Sequence, residues 1–163
     1  MPSVRADCPV RGEGYVGSVS ETLIRKLNVQ KKPTMTVVAV ALVDGEKRVL
    51  LQQRAPDRAM AGLWEFPGGK VEEGETPEAA LLREIDEELG IMLDSEAIVP
   101  ACFASAPLGD RHMILLLYLC RAWHGEPAPL DAAALCWVST AEMRALPMPP
   151  ADEPLIPLLE ALL

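Results

Sequence analysis

The hydrophobic pattern of the chain first becomes strong at residue 35. Residues 35–43 (MTVVAVALV) are a continuous apolar run rich in β-branched side chains, which is typical of a strand buried on both faces. A turn at Asp44 and Gly45 follows, and residues 48–54 (RVLLQQR) predict a second strand. Because the connection is so short, we expect these two strands to pair as a hairpin.

Three further strands are predicted, at residues 97–106, 112–123 and 135–138. The first two are separated by Gly109 and Asp110, which indicate a turn between them. Helical patterns occupy the stretch between Thr76 and Gly90 and residues 140–146 and 152–163. This order of elements predicts an α/β fold, with a mixed β-sheet held between helices.

The first 33 residues differ from the rest of the chain. Their composition is mixed, and apart from a short helical pattern at residues 20–27 they show no sustained periodicity. We therefore divide the chain into an N-terminal extension, residues 1–33, and a folded domain, residues 34–163. We expect the extension to be poorly ordered or to result from a mis-assigned start.

The strongest helix signal lies between Thr76 and Gly90. Thr76 is a hydroxyl cap, Pro77 suits the first helical position, and Glu78 faces the positive end of the helix. Gly90 is a typical helix stop. At about 100° per residue, an apolar stripe and an acidic group fall on different sides of this helix. The stripe is Leu82, Ile85 and Leu89, and the acidic group is Glu84, Glu87 and Glu88.

The acidic group has two interpretations. Most runs of charge on helices are solvated faces. Three carboxylates this close also repel one another, which raises their pKa values unless a cation lies among them. Mg²⁺ prefers oxygen ligands and usually arrives with substrate phosphates, so the second interpretation is a magnesium and phosphate site.

The composition narrows the range of partners. The chain has 163 residues, of which 50% are hydrophobic, and a formal net charge of −9. This charge disfavours duplex nucleic acid and anionic membrane surfaces as partners. A single nucleotide bound through a metal ion is compatible with it, and the oligomeric state is left open.

The four cysteines are far apart in the sequence and form no C-x-x-C pair, which supports neither a zinc site nor a disulfide framework. They are Cys8, Cys102, Cys120 and Cys136. We expect reduced thiols, three of them small apolar residues within strands, in a cytoplasmic protein. No signal peptide is apparent, and the longest apolar run, residues 113–120, is too short to span a bilayer.

The spacing around the acidic group favours the functional interpretation. From Gly69 the chain has five residues, then Glu75, then seven residues, then REIDEELGI at residues 83–91. This resembles, at each fixed position, the Nudix hydrolase signature G-x5-E-x7-R-E-u-x-E-E-x-G-u, in which u is aliphatic. The segments RAPDRAMAGLWEF, DRH, WHGEP and PMPPADEPLIPLL are similar to the MutT branch, so the resemblance runs from about residue 35 to the C-terminus.

The resemblance implies a fold and a reaction. The fold is an α/β/α sandwich with a mixed β-sheet, in which the signature forms a loop and a helix. The reaction is metal-assisted attack of water on a nucleoside diphosphate linkage. In MutT-like members water attacks the β-phosphorus of a nucleoside triphosphate, which gives a monophosphate and pyrophosphate without a covalent protein intermediate. The implied cofactor is Mg²⁺, with Mn²⁺ as a substitute.

The resemblance also implies metal ligands, namely the carbonyl of Gly68 and the carboxylates of Glu84, Glu87 and Glu88. Glu84 is in addition a candidate base. We expect Arg83 to orient one of these carboxylates, because an arginine fork pairs well with a carboxylate, and Glu75 to anchor the loop. At Asp131, MutT-like proteins often carry a glutamate that contributes to metal binding or water activation. Asp131 is one methylene shorter, so ligation, a water-bridged role and a loop role stay open.

Four residues match positions that line the nucleotide pocket: Arg54, Phe66, Arg111 and Asp152. Arg54 would reach phosphate or base. Phe66 would supply apolar contact to the ring, with simple core packing as the alternative. Arg111 matches a nucleotide-contacting arginine, although a loop arginine without a partner fits almost as well.

Asp152 is the residue that most affects which nucleobase the resemblance implies. An asparagine at this position in MutT proteins reads 8-oxoguanine, because one amide can accept from N7–H and donate to O6. An ionised aspartate only accepts, so it could read an oxidised purine or the N4 amine of cytosine, as in related bacterial CTP and methyl-dCTP hydrolases. A third alternative is an N-cap for the last helix.

Three functions are therefore considered. The first is 8-oxo-dGTP diphosphatase, an enzyme of nucleotide-pool sanitisation. The second is a CTP or 5-methyl-dCTP pyrophosphohydrolase. The third is a non-catalytic nucleotide-binding regulatory module, which the complete set of signature glutamates disfavours.

Overall fold

The computed structural model describes residues 32–163. In chain order its elements are β1 (Thr34–Leu42), β2 (Val49–Arg54), β3 (Trp64–Glu65), β4 (Gly68–Lys70), α1 (Pro77–Leu89), β5 (Met92–Leu93), β6 (Ile98–Leu108), β7 (Arg111–Cys120), β8 (Trp123–His124), β9 (Ala132–Val138), α2 (Thr140–Met143) and α3 (Leu155–Glu160). Of the extension predicted at residues 1–33, only the last two residues are described. The helical pattern at residues 20–27 and Cys8 lie outside the described residues.

The strands form a mixed sheet, as predicted. The order of the larger sheet is β4-β1-β7-β6, in which β1 runs parallel to β7 and the other pairs are antiparallel. The predicted pairing across Gly109 and Asp110 is confirmed by the β6–β7 hairpin. A second sheet has the order β3-β2-β9, and β5 pairs with β8.

The predicted hairpin between β1 and β2 is wrong. The two strands belong to different sheets and are joined only by an isolated bridge between Val43 and Val49. Both edges of β1 are occupied, by β7 on one side and by β4 on the other, so β2 pairs with β3 and β9 instead. A run that is buried on both faces identifies a strand but carries no information about its neighbours.

Helices cover both faces of β1, which confirms the predicted sandwich. Val38, Val40 and Leu42 pack with the buried face of α1. Ala39, Ala41 and Val43 point the other way and pack with α2, α3 and the segment between them. This alternation explains the continuous apolar run, because successive residues of a strand point to opposite faces.

Helix α1 has the predicted caps. The Thr76 hydroxyl accepts a hydrogen bond from the Ala79 N–H at 3.2 Å. Gly90 ends the helix with a φ of 66°, a left-handed conformation that favours glycine. These two contacts fix where α1 begins and ends, and so where its glutamates lie.

The packing face of α1 differs from the predicted stripe. The buried residues are Ala80, Leu81, Ile85 and Leu89, and Leu82 is only half-buried. The true stripe is therefore rotated towards the acidic residues. Glu88 follows Leu81 by seven residues, so it lies beside this stripe and is drawn into the interface between α1 and the sheet.

The C-terminal helices are shorter than predicted. α2 is capped by Ser139, and α3 begins only after Pro154, with no side-chain cap. Cys102, Cys120 and Cys136 are free thiols in β6, β7 and β9, as expected. Within residues 32–163 we find no helix long and apolar enough to cross a membrane.

Candidate active site

Two adjoining cavities lie beside the loop and helix of the signature. The first, here called the acidic cleft, has a volume of about 440 Å³ and contains all of the predicted metal ligands. It is lined by Gln52, Arg54, Arg58, Glu65, Gly68, Gly69, Lys70, Glu72, Glu84, Glu87, Glu88 and Asp131. Strands β2 to β4 form one side of the cleft, and the C-terminal half of α1 forms another.

Two hydrogen bonds hold the Glu88 carboxylate against the strands of the cleft. Its Oε2 accepts from the Gly68 N–H at 2.9 Å and from Gln52 Nε2 at 2.8 Å. Burial raises the pKa of Glu88 to about 7, although both hydrogen bonds act in the opposite direction. The fold therefore keeps this carboxyl group in a place where its charge is poorly solvated, and a cation in the cleft would stabilise the ionised form.

Arg83 connects the loop to the acidic residues. Its Nε and Nη2 donate to the two carboxylate oxygens of Glu75, each at 2.9 Å, and its Nη1 donates to Glu84 at 2.9 Å. Hydrogen bonds from Arg83 lower the pKa of Glu75 to about 2, so Glu75 is ionised at neutral pH. This geometry is the one expected if Glu75 anchors the loop and Arg83 orients a carboxylate.

The lining of the acidic cleft suits a hard divalent cation. The Glu84 carboxylate packs on the Cα of Gly69, where an added Cβ would lie 2.2 Å from the carboxyl carbon. Within residues 32–163, no three His, Cys, Asp or Glu side chains are grouped closely enough to hold an ion by themselves. A divalent cation such as Mg²⁺ can bind through only one or two carboxylates, with water and phosphate oxygens completing its shell. Such a coordination shell does not require all of its ligands to come from protein side chains.

Asp131 lies at the rim of the acidic cleft in an ion pair. Both of its carboxylate oxygens accept from Arg58 Nη2, at 2.8 and 2.7 Å. Each side chain of the pair is about half exposed. The structure brings Asp131 to the same cleft as Glu84, Glu87 and Glu88, but its carboxylate is paired there with the guanidinium of Arg58.

The second cavity, here called the apolar pocket, adjoins the acidic cleft. Its volume is about 360 Å³, and its lining is mostly apolar, with Val37, Phe66 and Leu115 among its residues. Asp152 also lines it and is only 6% exposed. Burial raises the pKa of Asp152 to about 7, although the Phe66 N–H donates to Oδ1 at 3.3 Å and opposes the shift.

The side chain of Asp152 does not cap the last helix, so that alternative is wrong. α3 begins at Leu155 without a side-chain cap, and the Asp152 carboxyl group contacts the Phe66 amide instead. Phe66 is 3% exposed within the core, as its packing alternative predicts, and it also lines the apolar pocket. Its contact with a nucleotide ring stays a prediction.

The two remaining predicted residues have different positions. Arg54 lies where the cavities meet, and its guanidinium is paired with Glu65 and with the Ala59 carbonyl. Arg111 lines neither cavity. It lies in a separate shallow groove beside Asp110, and its Nη1 contacts Met35 Sδ at 3.9 Å. Its place directly after the β6–β7 turn explains this separation.

Five side chains that line the acidic cleft have no role predicted from the sequence: Gln52, Arg58, Glu65, Lys70 and Glu72. Gln52 could have been noticed in the sequence. It follows Leu50 on the face of β2 that packs against α1, and a polar residue is unexpected on that buried face. Nothing in the sequence distinguishes Arg58 and Glu65, since a loop arginine and a glutamate in a two-residue strand are common surface residues.

Comparisons with known proteins agree with this geometry. The NUDIX domain model matches residues 32–159. The 8-oxo-dGTP diphosphatase of Escherichia coli (strain K12) is 38% identical over 126 residues, which are 77% of this chain and 96% of that protein. The CTP pyrophosphohydrolase of the same strain is 41% identical over 132 residues, which are 78% of this chain and 90% of that protein.

A solved structure shares the fold. The MutT NUDIX hydrolase from Burkholderia pseudomallei superposes with a TM-score of 0.70 at 29% identity, covering 78% of this chain and 99% of that chain. Hydrolases of this family generally need a divalent metal, which fits the lining of the acidic cleft. The chain therefore belongs to the Nudix family, as a MutT-like hydrolase that acts on phosphoric anhydride bonds.

Proposed function

We propose that this protein is a Mg²⁺-dependent nucleoside triphosphate pyrophosphohydrolase whose preferred substrate is 8-oxo-dGTP. The observation that carries the proposal is the junction between the acidic cleft and the apolar pocket. Both cavities are lined by Arg54, Glu65, Gly68, Gly69 and Lys70. A ligand with a flat base at one end and a charged, metal-binding chain at the other would fill both.

The acidic cleft supports the hydrolytic half of the proposal. A bound divalent cation neutralises phosphate charge and lowers the pKa of coordinated water. Glu84, Glu87 and Glu88 and the Gly68 carbonyl would hold Mg²⁺ there, and Mn²⁺ is expected to substitute. Water would attack the β-phosphorus, with Glu84 as the base that takes its proton, to release a nucleoside monophosphate and pyrophosphate.

Asp152 supports the preference for an oxidised purine. Because its pKa is raised to about 7, a large fraction of Asp152 is protonated at neutral pH. A protonated carboxyl group accepts through one oxygen and donates through the other. This pair matches the N7–H donor and O6 acceptor of 8-oxoguanine, whereas unmodified guanine offers two acceptors at N7 and O6.

Steady-state kinetics with Mg²⁺ on 8-oxo-dGTP, dGTP, CTP and 5-methyl-dCTP test the proposal. We expect kcat/KM to be highest for 8-oxo-dGTP and pyrophosphate release to be lost in Glu84→Gln and Glu88→Gln. Equal and poor kcat/KM values for 8-oxo-dGTP and dGTP would contradict a sanitising role.

A pyrimidine triphosphate is the second candidate substrate. It is favoured by the relative named CTP pyrophosphohydrolase and by the ionised form of Asp152, which accepts from the N4 amine of cytosine. This candidate predicts that Asp152→Asn lowers kcat/KM for CTP and 5-methyl-dCTP more than for purine substrates. An unchanged substrate ranking in that variant would remove it.

A free nucleotide is also the partner that the charge of the chain favours. The net charge of −9 opposes binding to duplex nucleic acid or to an anionic membrane, while a metal-bound triphosphate is tolerated. We place the protein in the cytoplasm, where the nucleotide pool is found, and the free thiols of Cys102, Cys120 and Cys136 are compatible with that compartment.

A further inference from the structure

The amide of Gln52 has no part in the mechanism proposed above, yet it is buried at the acidic cleft. Gln52 is 3% exposed, and its Nε2 donates to Glu88 Oε2 at 2.8 Å. Among residues 32–163, its Oε1 is the only buried side-chain nitrogen or oxygen without a hydrogen-bond partner. A half-satisfied buried amide opposes folding, so its presence at this position indicates a use other than packing.

The hydrogen bonds around Glu88 indicate what that use is. Gln52 Nε2 and the Gly68 N–H both donate to the same oxygen, Oε2. Glu88 Oε1 makes no hydrogen bond to the described residues. The opposite orientation of the Gln52 amide would place its oxygen against a carboxylate oxygen, so the nitrogen is the atom that faces Glu88. One oxygen of the carboxylate is therefore fixed by two donors, and the other is free.

We propose that Gln52 is a positioning residue for Glu88, which holds one carboxylate oxygen so that the other is presented to the divalent cation of the acidic cleft. The inference rests on the proposed function, because it takes Glu88 as a metal ligand. Groups that orient metal ligands typically contribute 10- to 100-fold to metal affinity or activity. The position of Gln52 in β2, a strand of the sheet, gives this contact a rigid support.

Binding of Mn²⁺ without nucleotide, followed by electron paramagnetic resonance, tests the inference independently of turnover. Gln52→Met keeps the length of the side chain and removes both its hydrogen bond and its unpaired oxygen. We expect the Kd for Mn²⁺ to rise about 10-fold or more. The melting temperature should not fall, since an unsatisfied buried group is also removed. Gln52→Leu is a second variant with the same expectation.

Gln53 provides the matched control. It is the next residue of the same strand, and its Nε2 donates to the Gly62 carbonyl at 3.0 Å, away from the acidic cleft. We expect Gln53→Met to bind Mn²⁺ like the wild type. Equal weakening in Gln52→Met and Gln53→Met, with lower melting temperatures in both, would show disruption of the strand and overturn the inference.

Glu88→Gln separates failure of this inference from failure of the proposed metal site. If the wild type binds no Mn²⁺, or if Glu88→Gln binds it as tightly as the wild type, the proposed ligand set is wrong. If Glu88→Gln binds weakly while Gln52→Met is unchanged, only the role of Gln52 is wrong. We also expect excess Mg²⁺ to restore kcat in Gln52→Met and not in Glu88→Gln, whereas a purely structural role predicts no rescue.

Discussion

At the scale of single residues, Gln52 and Asp152 are the buried polar side chains of the described chain, and both line the proposed site. Burial of a polar group costs free energy unless the group is well paired. The match of Asp152 to a family position predicts that this residue contacts substrate, and that contact stays a prediction. The sequence did not indicate the raised pKa, because that depends on the surroundings that the fold creates.

The stability of the protein should depend on pH through Asp152. Its pKa is raised from 3.8 to about 7 in the folded protein, mainly by burial, so the native state binds this proton more tightly than the unfolded state. The stabilisation is complete below about pH 4 and is lost as the pH rises through 7. Asp152→Asn removes the titration, so the wild type should lose stability relative to this variant between pH 4 and 8, by at most about 4 kcal/mol.

Urea unfolding of the wild type and Asp152→Asn at pH 5, 7 and 9 measures this difference. The exposed neighbour Glu153 provides a control in Glu153→Gln, which removes a charge next to Asp152 without changing a buried group. A difference between wild type and Asp152→Asn that stays constant over this range would contradict burial as the cause.

At the scale of elements, the signature helix was the best predicted part of the chain. Its start at Thr76 and its end at Gly90 depend on local hydrogen bonds, which is why residue types alone indicated both. Its packing face was less well predicted, because Leu81 and Leu82 are equally apolar and only contact with the sheet distinguishes them. The partners of β1 and β2 depend on distant strands, so the local pattern suggested a hairpin that does not form.

Alanine substitutions at the two glycines of β4, Gly68 and Gly69, should have different effects, one mainly on stability and the other mainly on activity. A Cβ at Gly68 would lie 2.1 Å from the Val38 carbonyl oxygen of β1, and its φ of 148° is rarely adopted by other residues. A Cβ at Gly69 would instead meet the end of the Glu84 side chain, which can move. We expect Gly68→Ala to destabilise the fold by at least about 2 kcal/mol. Gly69→Ala should lower kcat by about 10- to 100-fold with little change in stability.

Thermal unfolding and kcat, measured for both variants, test this prediction. Gly45→Ala is the control, because an added Cβ there meets no atom within 4 Å and the backbone needs no left-handed conformation. Equal losses of stability in Gly68→Ala and Gly69→Ala would show that Glu84 cannot move aside, and so would contradict the separation.

At the scale of the whole molecule, the sandwich sets the two cavities side by side. Strands β2 to β4 contribute to the acidic cleft, and the segment before α3 contributes Asp152 to the apolar pocket. The chemistry could be predicted from sequence because its glutamates lie within one helix at fixed spacing. The lining of the apolar pocket could be predicted only through resemblance, since Arg54, Phe66 and Asp152 are distant in the chain and no local pattern connects them.

The proposed function assigns hydrolysis to the acidic cleft and recognition of the nucleobase to the apolar pocket. The ratio of kcat/KM for 8-oxo-dGTP to that for dGTP tests this assignment most directly. It is to be measured with Mg²⁺ in the wild type, Glu84→Gln and Asp152→Ala. We expect Glu84→Gln to lower kcat for both substrates by about 10²- to 10⁴-fold and to leave the ratio unchanged. Asp152→Ala should keep kcat for dGTP within about threefold and reduce the ratio by at least about 10-fold. A ratio that survives Asp152→Ala, or a kcat that survives Glu84→Gln, would contradict this account.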